Sequence, residues 1–219
     1  MRKYTKEDAI AVVTRCAEDY RNELEGRNFL FVCMDKHKKV IAVEVSFHKS
    51  NYMHLTGLKP PKSNDAGSNR GLHANDFYQK CLDHKLSPQD FDFAEDGTTH
   101  MKIDVLPNVI TKNLSANMIG NYNSARPQLY TEKIIGNIHA CVGFTFDQKT
   151  TEYVPNTVLQ EDIRDVTTSR ARVVAVYRKD VGVELYEELT YRAKGVDFAS
   201  ITYPEQFEYL RRVCDISAD

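Results

Sequence analysis

The densest run of reactive side chains is FHKSNYMHLTGL, residues 47–58, which supplies His48, Lys49, Ser50, Asn51, His54 and Thr56. An imidazole, with an unperturbed pKa of about 6.5, can take or give a proton near neutrality. The four polar residues 48–51 read as a solvated strand exit that caps a turn. His54 and Thr56 stand two apart among Met53, Leu55 and Leu58. In an extended segment they would share the face opposite these apolar neighbours.

Three later stretches carry further candidates. In QLYTEKIIGN, strand alternation groups Thr131 with Lys133, and Tyr130 with Glu132. An ammonium beside a hydroxyl suits a phosphate oxygen, although a plain surface strand end has the same pattern. In VPNTVLQEDIRDVT, Asn156 and Thr157 precede Glu161, Asp162, Arg164 and Asp165. Arg164 can pair with a neighbouring carboxylate or orient a substrate anion, and spacing alone does not choose. In NIHACVGFTF, alternation sends His139 to the more polar face of a strand, where a structural role is the ordinary reading.

No HExxH, GxGxxG, Walker, calcium-loop or GxSxG pattern occurs. The five cysteines are scattered and form no CxxC pair, which argues against a disulfide framework or a cysteine zinc site. No metal and no cofactor is therefore expected. His, Lys, Arg, Thr and Tyr are the groups left for catalysis. They suit metal-independent RNA cleavage, in which the substrate's own 2′-hydroxyl is the nucleophile and the protein supplies a base, an acid and cations around the phosphate. The formal charge of −2 excludes a duplex-gripping domain with a large basic excess. Any nucleic-acid contact must be local, and Lys36, Lys38 and Lys39, or Arg170, Arg172, Arg178 and Lys179, are the basic runs that would provide it.

The elements that must position these groups follow an α+β order. Helical spacing from Thr5 to Arg27, with Thr5 and Asp8 as a capping pair, predicts an N-terminal helix. NFLFVCM and VIAVEVSF, joined by DKHKK, predict a hairpin. A loop is expected over residues 59–70, a helix over 74–83, another from SPQD at 87–90, and two short helices or one kinked at Pro107 over 101–119. From Gln128 onward successive β-type runs imply a twisted, mainly antiparallel sheet, and YPEQFEYLRRV a terminal helix over 204–216. Without a clean linker, residues 1–219 read as one domain. With no long apolar stretch and no signal-peptide pattern, the expected location is the cytoplasm, with no membrane partner.

Taken in order, FHKSNYMHLTGL, GNYNSARPQLYTEKIIGNIHACVGF, VPNTVLQEDIRDVT and RVVAVYRKD followed by ELTYRAKG resemble the phage-associated nuclease-like domain grouped with barnase, EndoU, the colicin tRNases and RelE, in its fourth subgroup. The resemblance spans about Asn28 to Gly195. It implies helices leading into a twisted antiparallel sheet, a phage or mobile-element origin in a bacterial host, and a ribonuclease or toxin role acting on RNA. Carried onto this chain, it makes His54 the general base or acid with Thr56 beside it. Lys133 and Thr131 become phosphate-binding groups, and Asn156 and Arg164 substrate-binding groups; Tyr130 and His139 join the substrate-binding candidates from their positions in the strand runs.

Two other functions fit the same residues. The acidic balance suits a non-catalytic anti-defence protein that occupies a basic host protein complex. A strand-end His followed by Thr-Gly also suits nicotinamide-nucleotide binding and ADP-ribosyl transfer. That third reading lacks a paired-carboxylate strand, because Glu187 and Glu188 are adjacent and alternate in direction.

Overall fold

The computed structural model describes residues 3–61, 72–124 and 129–216. The chain opens with α1 (Lys6–Glu23), started by a complete capping box in which the Thr5 hydroxyl accepts the Asp8 amide and the Asp8 carboxylate accepts the Thr5 amide. Each orphan donor of the first turn that is so satisfied contributes roughly 1 kcal/mol. The expected hairpin follows as the antiparallel pair β1 (Arg27–Met34) and β2 (Val40–Phe47). Then come α2 (Asn51–Thr56), α3 (Ala74–Leu82) and α4 (Thr98–Val109). The second half contains β3 (Met118–Tyr122), β4 (Lys133–Gly136), β5 (Cys141–Asp147), β6 (Glu152–Leu159), α5 (Ile163–Val166), β7 (Thr167–Asp180) and β8 (Glu188–Arg192). Two short 3₁₀ turns, Phe198–Ser200 and Glu205–Phe207, lead to α6 (Leu210–Ile216).

The eight described strands form one sheet in the order β1-β2-β6-β5-β4-β3-β7-β8, and β7 also pairs with β1. Seven strands thus close into a ring, with β8 added beside β7. All pairings are antiparallel except β2 with β6, which touch in parallel at Val45 and Tyr153. Alternation along β1 divides the interior. Phe29, Phe31 and Cys33 face α1 to α4, whereas Leu30 and Val32 face the C-terminal segments through Tyr177, Phe198 and Phe207. The α+β class is the observed one, and no described helix is long and apolar enough to cross a membrane.

Several local expectations differ from what forms. SPQD makes a turn instead of a helix, because the Asp90 carboxylate accepts both the Ser87 amide and its hydroxyl and closes the chain on itself. Residues 101–119 give one helix, α4, which starts earlier and ends two residues after Pro107, and then a strand from Met118. The helical spacing from Leu210 is kept, but the segment after Pro204 begins as a 3₁₀ turn. Of the loop expected over 59–70, residues 62–70 lie outside the described residues; Lys59 pairs in an isolated bridge with Asp92. The described cysteines, Cys16, Cys33, Cys81 and Cys141, are buried free thiols.

Candidate functional site

A cleft of about 780 Å³ opens between α2, α4 and the C-terminal half of β6. Its first wall is α2, whose buried Tyr52, Met53 and Leu55 seat it on the core. The turn into α2 is tied by the Asn51 side chain, which accepts the His48 amide at 2.8 Å. The Tyr20 hydroxyl donates to the His48 carbonyl at 2.9 Å. His54 is the exposed side chain of this otherwise buried helix and lines the cleft. The surroundings lower its pKa from the ordinary histidine value: partial burial acts first, then the positive charges of Lys59 and Lys102. Neutral imidazole is the resulting form near pH 7.

The second wall depends on Gly57. This residue ends α2 in the left-handed conformation, φ 72°, which only glycine adopts without strain. A Cβ here would stand 2.6 Å from Cδ of Lys102, so the same glycine leaves room for the Lys102 stem to cross the end of α2. The Gly57 carbonyl also accepts the hydroxyl of fully buried Thr99 at 2.9 Å. Thr99 thereby locks the start of α4 against the end of α2, and Lys102 lies one turn further along α4. Burial, reinforced by the charge of Lys59, lowers the Lys102 pKa to about 8, while Asp96 pulls it the other way. Asp96 is held as a carboxylate by the amide and hydroxyl of Thr98.

The third wall is β6. Asn156 and Thr157 contribute to it, joined by Gln160 and Glu161 just beyond the strand, and Gln160 is fixed by donating 2.8 Å to Asp104 on α4. Asn156 lines the cleft, yet its amide is engaged at both ends. It accepts the Thr131 hydroxyl at 3.1 Å and donates to the Tyr130 carbonyl. Asn156 thus pins the segment entering β4 along the cleft. Tyr130 projects its ring almost fully into solvent, 97% exposed, next to the cleft residue Leu129.

The structure brings His54 and Asn156 to one cleft, with Tyr130 and Thr131 tied to its rim. It takes the other sequence candidates elsewhere. Thr56 is fully buried, and its hydroxyl donates to the Met53 carbonyl and accepts the Leu58 amide. The reason is geometric: the segment is helical, so residues two apart diverge by about 200° instead of sharing a face. Thr131 precedes β4 and is buried on Asn156, whereas Lys133 bonds Asn121 on β3, so the two do not form a phosphate pair. His139 sits in the turn before β5, its amide held by the Asn137 side chain, so strand alternation does not apply to it. Arg164 forks onto Asp162 and lines a different groove. Lys59, Lys102 and Asp96 escaped the sequence reading. For Lys102 alone the sequence carries a weak signal, a single lysine between Met101 and Ile103.

The arrangement can accept a proton at His54, donate one from Lys102 and neutralise an anion with Lys59 and Lys102. Among the described residues, no three His, Cys, Asp or Glu side chains gather as a metal-ligand set. A family model described as phage-Barnase-EndoU-ColicinE5/D-RelE like nuclease 4 matches residues 13–195, which include every wall of this cleft. No curated protein and no solved structure matches the chain.

Proposed function

We propose, from the premise that the chain belongs to this phage-Barnase-EndoU-ColicinE5/D-RelE like nuclease family, that it is a metal-independent endoribonuclease and that the His54 cleft is its active site. Membership supports a nuclease or toxin-type function and a nucleic-acid substrate. The observation that carries the finer reading is the convergence of His54, Lys59 and Lys102 on one cleft, in surroundings that draw the two flanking groups toward opposite roles at neutral pH. A base with its pKa below 6.5 and an acid with its pKa near 8 are the complement that proton transfer at pH 7 requires.

In this reading neutral His54 takes the proton of a ribose 2′-hydroxyl. The 2′-oxygen then attacks the adjacent phosphorus and the bond to the 5′-oxygen breaks. Protonated Lys102 donates to that departing oxygen, and Lys59 offsets the charge that builds on the phosphoryl oxygens. One product ends in a 2′,3′-cyclic phosphate and the other in a 5′-hydroxyl. The exposed Tyr130 ring offers a face on which an unpaired base stacks, and Asn156 with Thr131 holds that segment in place. The chain, residues 1–219, acts as one unit in a bacterial host cell.

The test is incubation of the protein with total RNA in EDTA, with end analysis of the fragments. Cleavage leaving 2′,3′-cyclic phosphates, reduced about 10²–10⁴-fold by His54→Ala, is the expected result. No cleavage at high protein concentration, or equal cleavage by the variant, overturns the assignment.

A further inference from the structure

We infer that a second groove, about 480 Å³ and separate from the His54 cleft, is a docking site for the phosphate backbone of single-stranded RNA on its way to the active site. Its rim carries Lys36, Arg164, Arg170 and Arg172, and its floor includes Met34 and Met118. The sequence separates Lys36 from the arginines by more than a hundred residues; the antiparallel pairing of β1 with β7, which aligns Met34 with Arg172, joins them. Asp35 also lines the groove, and Asp162 neutralises Arg164.

Arg170 and Arg172 are held differently. Their guanidinium groups donate to main-chain carbonyls, of Arg164 and Lys194 respectively, both at 3.0 Å. Among the described residues neither arginine, nor Lys36, has a carboxylate at ion-pair distance; Asp162 feels Arg170 only through space. Carbonyl contacts orient a guanidinium without cancelling its charge. On β7 the intervening Ala171 is buried, so Arg170 and Arg172 project from the same exposed face. Two adjacent, oriented and unneutralised cations repel each other unless a polyanion lies across them. In a chain of net charge −2, this is a local concentration of positive charge over an apolar floor. A strand that alternates phosphate with apolar base matches both features.

Position strengthens the inference. Glu161 lines the active cleft and Arg164 the groove. They are three positions apart in the chain, so their Cα atoms stand at most roughly 11 Å apart. A single strand leaving the cleft past Glu161 reaches the arginines within a short span. The inference rests on RNA being the substrate, so the test separates the two claims.

Binding of a labelled single-stranded RNA oligonucleotide to the His54→Ala protein is measured by fluorescence anisotropy over a series of salt concentrations. The comparison adds Arg170→Gln with Arg172→Gln, and separately Arg170→Lys with Arg172→Lys. The glutamine pair is expected to weaken binding about ten-fold or more and to lower the log–log salt slope by about 1.4, or 0.7 for each phosphate of a single strand that is no longer neutralised. The lysine pair keeps the slope. Thermal melts of all forms should superimpose, since both side chains are exposed. An unchanged affinity and slope in the glutamine pair overturns the groove assignment. Cleavage of a dinucleotide, too short to span cleft and groove, is read in parallel on the His54-bearing protein. It should be insensitive to the glutamine pair, and its absence counts against the His54 cleft, not against the groove.

Discussion

Replacing Lys102 with methionine should make the protein more stable and inactive at once. The side chain crosses Gly57 and is half-buried between α2 and the cleft. Burial and the charge of Lys59 bring its pKa from 10.5 to about 8. At roughly 1.4 kcal/mol per pH unit, keeping the amine charged at pH 7 costs the folded state about 3 kcal/mol at most. Water that reaches the part-exposed side chain reduces this to roughly 1–2 kcal/mol. Methionine has nearly the same length and no charge, so Lys102→Met should gain that amount in urea unfolding at pH 7. The gain should also depend on pH. Below about 8 both folded and unfolded lysine are protonated and the full penalty is present. Between about 8 and 10.5 the unfolded chain binds the proton more readily, so the native protein gains stability as pH rises and the advantage of the variant shrinks. A variant that is no more stable than the parent at pH 7, or whose advantage is flat from pH 7 to pH 10, refutes this account of Lys102.

Other outcomes follow from the same geometry. The pH dependence of kcat/KM should be bell-shaped, with an acid limb below 6.5 where His54 gains a proton and an alkaline limb near 8 where Lys102 loses one; a profile that rises steadily through pH 9 contradicts the acid role. Gly57→Ala should lose roughly 1–2 kcal/mol in chemical denaturation from its left-handed backbone, and its kcat should fall because the new Cβ meets the Lys102 stem. Thr56→Val should lose about 1–3 kcal/mol, since two buried hydrogen bonds disappear, while the activity of the folded fraction is unchanged. Lys133→Ala should leave kcat unchanged in the RNA cleavage assay, because the ammonium is engaged with Asn121 outside the cleft.

The parts of this protein legible in its sequence are those whose cause is local. The capping box at Thr5 and Asp8 satisfies amides three residues apart, so it marks the start of α1 without knowledge of anything else. The β-branched and aromatic runs of β1, β2 and β6 announce themselves by composition, and the family resemblance carried by the motifs agrees with the matched family. Local rules misled where a short segment had two solutions. Residues 51–56 are too few for a helical period to show, and it is the buried Tyr52, Met53 and Leu55 on the core that make them a helix. That one change keeps His54 in the cleft and turns Thr56 inward. Likewise the turn at His139 is decided by the Asn137 side chain, which caps it before β5 begins.

The sequence by itself determined the class of elements and the family, and it singled out His54 as a candidate, because each of these is written in residues close together. Only the tertiary structure decided which cations accompany it. Lys102 stands 48 residues from His54, and its lowered proton affinity exists only because Gly57 lets its stem pass and the folded chain removes water around it. Arg164 and Lys133 have equally plausible side chains, but closure of the ring through β7 and the pairing of β3 with β4 carry them to other faces. Charge and desolvation at a site are sums over neighbours in space, and those neighbours are set by the fold.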